Sequence, residues 1–384
     1  MEFLPGNRIE LLVSGTAYFP ALLAAIDAAM VEVRLETYIF ENDVAGHAVA
    51  SALVRAAQRG VTVHVLVDGF GAAGFMSTFG AELIRAGVDA RVYRPEISRF
   101  KFRRHRLRRL HRKLATIDAR IAFVGGINII DDMHTPNHTP PRYDFAVRIE
   151  GPLLEPIHAS MQHLWQLVGW ASLRHRLRKS SPDAAITLAR GDVTAAFVIR
   201  DNLHHRRDIE DAYLEAIAAA RNEIVIACAY FLPGRRFRHA LLNAARRGIK
   251  VTLLLQGRVE YVLLHYAAQA LYGTLLDAGV HIHEYHKGFL HAKVAVIDSN
   301  WATVGSSNID PFSLLLAREA NVVLKNASFA TELHDHLNQA MATGASEIIK
   351  QRWRNQFLPH RILNWLAYSL VRLMIGLAGY GGKH

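Results

Sequence analysis

The sequence predicts two similar α/β domains, each with a mixed β-sheet and helices on its faces. Three observations support this prediction. The chain has 384 residues, of which 51% are hydrophobic, so two domains could each bury a core. Segments with the periodicities of strands and helices alternate along both halves. The second half also repeats the order of segments found in the first half.

The internal repeat consists of four pairs of similar runs. The pairs are residues 26–40 with 217–231, 56–69 with 244–257, 83–93 with 275–285, and 111–128 with 291–308. In the last pair a histidine, a lysine, an aspartate, a glycine and an asparagine recur at identical spacing. Since the two copies share their order of elements, the seam between them is expected near residues 174–183.

The formal net charge of +11 at pH 7 is concentrated in two stretches. Residues 99–113 hold nine Lys or Arg and no acid, and residues 351–384 hold five and no acid. Such stretches attract anionic partners, and nucleic acid, anionic lipid head groups and phosphorylated substrates are all candidates. The single cysteine, Cys228, excludes an internal disulfide and a multi-thiolate metal site. The N-terminus resembles neither a secretory signal nor an apolar anchor, so we expect a cytoplasmic chain.

An insertion precedes the first copy of the fourth run. His111 follows Tyr93 by eighteen positions, whereas His291 follows Tyr285 by only six. The additional residues lie within 94–110 and carry phenylalanine and leucine side chains among the cations. This mixture suits anionic lipid head groups. A nucleic-acid patch and a solvated basic hairpin are the alternatives.

The histidine and lysine of each motif are two residues apart. On a strand this spacing places His111 beside Lys113, and His291 beside Lys293, on one face. An imidazole next to an ammonium group suits a phosphodiester, because lysine binds the non-bridging oxygens while histidine attacks phosphorus or protonates the leaving oxygen. Two asparagines follow the glycine turns and can donate to the same oxygens; they are Asn128 and Asn308. The other histidines are scattered without acidic clusters, so no metal site is predicted.

Two kinds of carboxylate accompany the motifs. Asp118 and Asp298 lie seven residues after their histidines, an odd spacing that would turn them to the opposite face of an uninterrupted strand. They are predicted to lock the strand or to act indirectly. A catalytic imidazole needs an acceptor for its other nitrogen. Asp144 and Glu319, each of which opens the next apolar strand, are the better candidates for that role.

The paired H-x-K-x4-D-x6-G-[GS]-x-N motifs resemble those of the phospholipase D superfamily, and the resemblance extends to about residue 345. It implies two similar domains about a pseudo-twofold axis, with both motifs at one site that needs no metal or other cofactor. One histidine of the site becomes a phosphohistidine, and the other protonates the departing alcohol and activates the acceptor. The resemblance leaves open which histidine is the nucleophile, with a slight preference for His111.

The resemblance also assigns roles to the motif residues. The catalytic set carried over from the family is His111, Lys113, Asp118, His291, Lys293 and Asp298, and the phosphate-binding asparagines are Asn128 and Asn308. Two features depart from the family pattern. Gly126 occupies the place that serine usually takes and that Ser306 takes in the second motif, and residues 310–322 are more apolar than the related segment of the family.

Within the superfamily, three parts of the sequence most resemble short bacterial cardiolipin synthases: residues 37–69, residues 108–118 with 125–128, and residues 288–298 with 305–310. This likeness implies transfer of a phosphatidyl group from phosphatidylglycerol to a second phospholipid alcohol, at an anionic membrane surface on the cytoplasmic face of the cell membrane. Nucleic acid is not an expected partner, and the oligomeric state is left open. The alternatives are a phosphodiesterase that hydrolyses phospholipid or nucleic acid with water as acceptor, and a non-catalytic membrane-binding protein.

The predicted domains are residues 1–178, which include the insertion at 94–110, and residues 179–348. A basic, apolar C-terminal segment occupies residues 349–384. Its run from 363 to 378 is sixteen residues long and contains Arg372, so it is shorter than the roughly 20 apolar residues of a spanning helix. We expect a peripheral helix in the plane of the membrane. The alternative is a terminal helix that docks on the protein.

Overall fold

A computed structural model of the chain describes residues 1–95, 108–135, 139–171, 188–201, 204–259, 261–310, 317–355 and 358–375. The predicted seam at 174–183, most of the insertion at 94–110 and the last residues of the C-terminal segment lie outside the described residues. The predicted domain boundary at residue 178 therefore stays a prediction.

Within its described residues, the first half contains eight strands and four α-helices, with a short π-helical turn at Met76–Gly80. The strands are β1 Leu4–Val13, β2 Glu32–Thr37, β3 Thr62–Asp68, β4 Asp89–Tyr93, β5 Lys113–Ile117, β6 Ile121–Gly125, β7 Arg142–Tyr143 and β8 Phe145–Glu150. The helices are α1 Ser14–Asp27, α2 Val44–Gln58, α3 Ala81–Arg85 and α4 Leu154–Ala171.

The described part of the second half repeats this order and continues beyond it. Its strands are β9 Val193–Arg200, β10 Glu223–Cys228, β11 Lys250–Gln256, β12 His281–Tyr285, β13 Phe289–Leu290, β14 Lys293–Ile297, β15 Trp301–Gly305, β16 Glu319–Lys325 and β17 Ala345–Glu347. Its helices are α5 Asp208–Ala219, α6 Arg235–Arg246, α7 Val262–Asp277, α8 Ala327–Gly344, α9 Lys350–Arg354 and α10 Leu358–Ile375.

The described strands of both halves include fifteen that form one mixed sheet. From the centre outward the first half runs β1-β8-β6-β5-β2-β3-β4, and the second half runs β9-β16-β15-β14-β10-β11-β12 before ending at β17. The strand orders are therefore the same, and β1 pairs with β9 in an antiparallel manner at the centre. The predicted α/β class with two similar halves is confirmed. The sequence did not predict that the two sheets would join into one.

The hydrophobic core explains why the two halves stay together. One cluster of buried side chains combines Leu154 and Ile157 of α4 with Leu333 and Leu337 of α8, and with strand residues from both halves. Two further clusters lie mainly within one half each and hold the helices on the opposite face of the sheet. Since fully burying one such leucine contributes about 1.5–3 kcal/mol, the shared cluster strongly favours a fixed arrangement of the halves.

The C-terminal helix α10 packs against α7. Asn364, Ala367 and Val371 are the buried residues of α10, and the last two join the core cluster of the second half. The ring of His360 lies 5.6 Å from that of Tyr266 at the start of α7. In the parts of the chain that the structure describes, no helix has both the length and the apolar character needed to cross a bilayer. The structure shows α10 docked on the protein, which is the alternative given above for this segment.

Candidate active site

The two central hairpins bring the motif histidines and lysines to the centre of the molecule. Lys113 opens β5 and Lys293 opens β14, and each histidine lies two residues earlier on the same face. Arg112 points the other way, where its guanidinium binds Glu36 with Nε 2.5 Å from Oε2. The alternation expected of a strand therefore separates the site residues from a structural ion pair.

Backbone hydrogen bonds attach each histidine to the opposite half of the chain. The amide of His111 donates to the carbonyl of Arg318 over 3.0 Å, and the amide of His291 donates to the carbonyl of Tyr143 over 2.8 Å. The short strands β7 and β13 pair in parallel beside the second of these contacts. The two motifs consequently meet at one site between the halves.

Buried carboxylates bind the histidine side chains across the same boundary. Nδ1 of His291 lies 2.6 Å from Oδ2 of Asp144, and Nδ1 of His111 lies 2.9 Å from Oε1 of Glu319. Each carboxylate belongs to the half that does not supply the histidine. A carboxylate at Nδ1 favours the tautomer with its proton there, which leaves Nε2 as the basic nitrogen. Neither Nε2 atom has a hydrogen bond within the described residues.

The two lysines are buried beside these imidazoles. Lys113 donates to the carbonyl of His111 over 2.5 Å, and Lys293 donates to the carbonyl of His291. Nζ of Lys293 also lies 3.7 Å from Oδ2 of Asp144. Burial lowers the pKa of Lys113 to about 7. An anion bound between the lysines would offset their loss of hydration, so they form a pair of cations suited to a phosphate group.

Burial also determines the protonation of the histidines and of Asp144. It lowers the pKa of His111, and burial together with Lys293 lowers the pKa of His291 well below its usual value. Burial raises the pKa of Asp144 to about 6. At pH 7 the site therefore holds neutral imidazoles next to an ionised Asp144, which is the state required for a nucleophilic Nε2.

The two asparagines lie buried at the ends of β6 and β15. Asn128 accepts a hydrogen bond from the amide of Ile39 over 3.1 Å, and the side-chain oxygen of Asn308 lies 3.9 Å from the thiol of Cys228. Their side-chain nitrogens have no partner within the described residues. These amides are therefore oriented with their donors unused, and their binding of phosphate stays a prediction.

The structure explains why glycine replaces serine at position 126. A Cβ atom at Gly126 would come within 2.3 Å of Oδ1 of Asp144. In the second half, the hydroxyl of Ser306 donates to Oε2 of Glu319 over 2.6 Å. The shorter carboxylate of the first half thus occupies the space that the serine fills in the second half. The two carboxylates are held differently but reach equivalent imidazoles.

Asp118 and Asp298 lie away from the imidazoles, in the tight turns β5–β6 and β14–β15. Both have positive φ angles of 52°. Asp118 accepts hydrogen bonds from the amides of residues 30–32 over 2.7–2.9 Å, and Asp298 does the same for residues 221–223 over 2.8–3.0 Å. The structure brings neither of them to its histidine. They lock the hairpins to β2 and β10, as the odd spacing predicted, and act on the site only through the backbone.

The site also contains an aromatic residue, Tyr38, that the repeat did not predict. The ring of Tyr38 lies 4.9 Å from that of His111, and Nζ of Lys113 lies 5.5 Å from the Tyr38 ring centre. Tyr38 belongs to the first repeated run, but its counterpart in the second copy is Ala229. Because the tyrosine is present in one copy only, the repeat gives no signal for it. Among the described residues, no group of three or more His, Cys, Asp or Glu side chains is arranged for a metal ion.

Replacing Asp298 by alanine is expected to lower the free energy of unfolding by about 1–3 kcal/mol, because three backbone amides lose a charged acceptor. Urea denaturation followed by circular dichroism measures this change as a lower midpoint. Asp192→Ala removes an exposed carboxylate that forms no ion pair within the described residues, and it should leave the midpoint unchanged. Equal midpoints for the two variants would contradict a turn-locking role.

Comparison with known proteins agrees with this geometry. Residues 22–165 and 213–341 each match the family model described as "Cardiolipin synthase, PLD-like domain". The chain is 41% identical over 380 residues to cardiolipin synthase B of Escherichia coli (strain K12), covering 99% of this chain and 91% of that protein. It is 40% identical over 385 residues to cardiolipin synthase B of Salmonella typhimurium, with the same coverage of both proteins.

A solved structure shows the same fold. The crystal structure of phosphatidylserine synthase from Haemophilus influenzae superposes with a TM-score of 0.71 at 14% identity, covering 97% of this chain and 95% of that one. The matched family segments contain both His–Lys motifs and both orienting carboxylates. The resemblance to the phospholipase D superfamily is thereby confirmed, and the chain belongs to the cardiolipin synthase family with phospholipase D-like domains.

Proposed function

We propose that the chain is a cardiolipin synthase that transfers a phosphatidyl group from phosphatidylglycerol to the hydroxyl of a second phospholipid. Family membership and the 41% identity to cardiolipin synthase B support this reaction. The observation that carries the proposal is the pair of imidazoles at one site. Each is fixed through Nδ1 by a carboxylate of the other half. Two such histidines are what a two-step phosphoryl transfer needs.

In the first step, Nε2 of one imidazole attacks the phosphorus of phosphatidylglycerol. A P–N bond forms as the P–O bond to the head-group glycerol breaks, and the other histidine, in its protonated form, gives its proton to the departing oxygen. Free glycerol leaves, and the phosphatidyl group remains on the enzyme as a phosphohistidine. The anionic diester raises the proton affinity of the nearby imidazole, so the general acid becomes protonated when substrate binds.

In the second step, the deprotonated histidine takes the proton of the acceptor hydroxyl. The acceptor oxygen attacks phosphorus, the P–N bond breaks, and cardiolipin is released with both histidines restored. Lys113 and Lys293 bind the non-bridging oxygens in both steps, and the unused amide donors of Asn128 and Asn308 are assigned to the same oxygens. Asp144 and Glu319 are positioning residues, because they act through the imidazoles.

The C-terminal helix α10, which packs on α7, has a surface suited to lipid. Most apolar side chains of α10 point outward rather than toward α7, with Trp365 64% exposed and Leu373 59% exposed. The exposed apolar face of α10 comprises Leu358, Ile362, Leu363, Trp365, Leu366, Leu370, Leu373 and Met374. Arg361 and Arg372 lie on the same helix. A helix with a broad apolar face, a tryptophan and cations is typical of proteins that lie in the membrane interface.

The apolar surface continues toward the site through the start of α7. Val259, Tyr261 and Val262 are all exposed there, and Tyr266 in the first turns of α7 contacts His360 of α10. We therefore assign the protein to the cytoplasmic face of the cell membrane as a peripheral enzyme. Phosphatidylglycerol and the second phospholipid would reach the site from that surface, and the anionic head groups would attract the arginines.

The proposed reaction is tested by incubating the purified protein with phosphatidylglycerol vesicles in the presence of a chelator and analysing the lipids by mass spectrometry. The expected product is cardiolipin. His111→Ala and His291→Ala are each expected to lower its formation by at least about 10³-fold, because the nucleophile or the general acid is lost. The double variant should form cardiolipin about as fast as the less active of the two single variants, since the two histidines act as a unit.

Other products would identify other functions. Phosphatidic acid without cardiolipin would indicate a hydrolase that uses water as acceptor. Cleavage of single-stranded DNA without lipid turnover would reject the lipid reaction altogether. Full activity after either histidine substitution would contradict the shared site.

The α10 face is tested by the triple variant Trp365→Ser, Leu366→Ser and Leu373→Ser. Its affinity for phosphatidylglycerol vesicles in a sedimentation assay is expected to fall by at least about tenfold, because three apolar side chains no longer enter the interface. The matched control is Met30→Ser, Val44→Ser and Ile84→Ser, which changes three exposed apolar residues elsewhere. Equal affinity of the two triple variants would contradict membrane docking through α10.

A further inference from the structure

The two halves differ at the ends of the equivalent strands β3 and β11. Asp68 closes β3, and Gln256 occupies the matching position at the end of β11. Asp68 is fully buried, and both of its carboxylate oxygens accept hydrogen bonds from backbone amides. One carboxylate oxygen accepts from the amides of Phe70 and Gly71, and the other accepts from the amide of Leu110 over 2.8 Å. The first half therefore uses this position for its own structure.

Gln256 has no such partners. It is only 7% exposed, and both Oε1 and Nε2 are inaccessible to solvent and without a hydrogen bond in the part of the chain that the structure describes. Leaving a buried polar group unpaired costs about 1–3 kcal/mol. An amide has one acceptor and two donor hydrogens to be satisfied. Such a group is expected where a ligand supplies the missing partners.

Gln256 is one of the residues that line a pocket beside the active site. Tyr230, Tyr261, Leu264, Arg258 and Asp310 are among the other residues of its wall. Asp310 lies two residues after Asn308. Tyr230 accepts a hydrogen bond through its carbonyl from the thiol of Cys228, whose sulfur also contacts Asn308. The pocket thus shares a wall with the asparagine at the end of the second motif.

Aromatic side chains lie both in the pocket wall and beside the first motif. Burial raises the pKa of Tyr38 above its usual value, and the charges of Asp68 and Tyr261 add to this effect. The ring of Tyr38 packs on His111, and the ring of Tyr261 packs on that of Tyr230 at 5.6 Å. The pocket wall thus combines aromatic side chains with residues next to the second motif, where an acceptor molecule would bind.

We propose that this pocket is the acceptor subsite, and that the Gln256 amide selects a neutral polyhydroxy alcohol such as the terminal diol of a glycerol head group. This inference rests on the proposed function, because it identifies what receives the phosphatidyl group. The uncharged amide can accept from one hydroxyl and donate to its neighbour, and the tyrosine rings can cover the carbon chain of the diol. One hydroxyl is bound, and the other is free to attack phosphorus.

The Gln256 amide is better suited to binding a neutral diol than to binding an amine head group. An ammonium group would be stabilised more by a carboxylate, such as that of Asp68 in the first half, than by a neutral amide with two donor hydrogens. A site whose buried polar groups bond a hydroxyl also discriminates strongly against molecules that lack it, because the groups are then left unpaired. Gln256 is accordingly a specificity residue rather than a catalytic one.

Competition between two soluble acceptors tests the assignment. Protein and phosphatidylglycerol vesicles are mixed with equal concentrations of deuterated glycerol and ethanolamine, and the products are deuterated phosphatidylglycerol and phosphatidylethanolamine. Wild type is expected to favour glycerol. Gln256→Met should lower the ratio of deuterated phosphatidylglycerol to phosphatidylethanolamine by about tenfold, whatever its effect on the overall rate of transfer. Gln256→Glu should shift the ratio further toward ethanolamine.

The control is Gln339→Met, which changes an exposed glutamine of α8 and should leave the product ratio unchanged. The urea midpoint of Gln256→Met should equal or exceed that of wild type, since an unpaired amide is replaced by an apolar side chain of similar shape. A product ratio in Gln256→Met within twofold of wild type would overturn the subsite alone. Absence of any phosphatidyl transfer by wild type would overturn the proposed function, and the subsite with it.

Discussion

Each motif histidine is bound by the half of the chain that does not contain it, and this exchange is the constraint on which the site depends. Asp144 reaches His291 and Glu319 reaches His111, while backbone amides of both histidines donate to carbonyls next to those carboxylates. An imidazole so held has a fixed ring plane and a fixed proton on Nδ1. Separation of the halves would leave buried carboxylates without partners, so folding and assembly of the site are one event.

The rest of the fold maintains this exchange. The continuous sheet joins the halves through β1 and β9, and the core cluster under α4 and α8 contains residues of both. Within this symmetric frame the halves have diverged. Gly126 makes room for the short Asp144 where Ser306 supports the longer Glu319, and Asp68 is bonded where Gln256 is not. The symmetric residues suit the chemistry common to both steps, and the asymmetric ones suit two different substrates.

Much of this could be predicted from the sequence, because the repeat and the period of a strand are local signals. They placed His111 with Lys113 on one face, assigned Asp118 and Asp298 to strand locking or to an indirect role, and selected Asp144 and Glu319 as partners for the imidazoles. The exchange of those carboxylates between halves depends on contacts between residues more than 140 positions apart, such as β7 with β13. Strand periodicity carries no information on such pairing. Tyr38 and Gln256 were missed because each is present in one copy only.

Nitrogen NMR of the protein labelled with ¹⁵N-histidine tests the exchange most directly. The resonances of His111 and His291 are assigned from their alanine variants. At pH 7 both imidazoles should be neutral with the proton on Nδ1, since burial lowers the pKa of each. Asp144→Asn should shift the signals of His291 and leave those of His111 in place, and Glu319→Gln should do the reverse. Shifts confined to the histidine of the same half, or a proton on Nε2, would contradict the account.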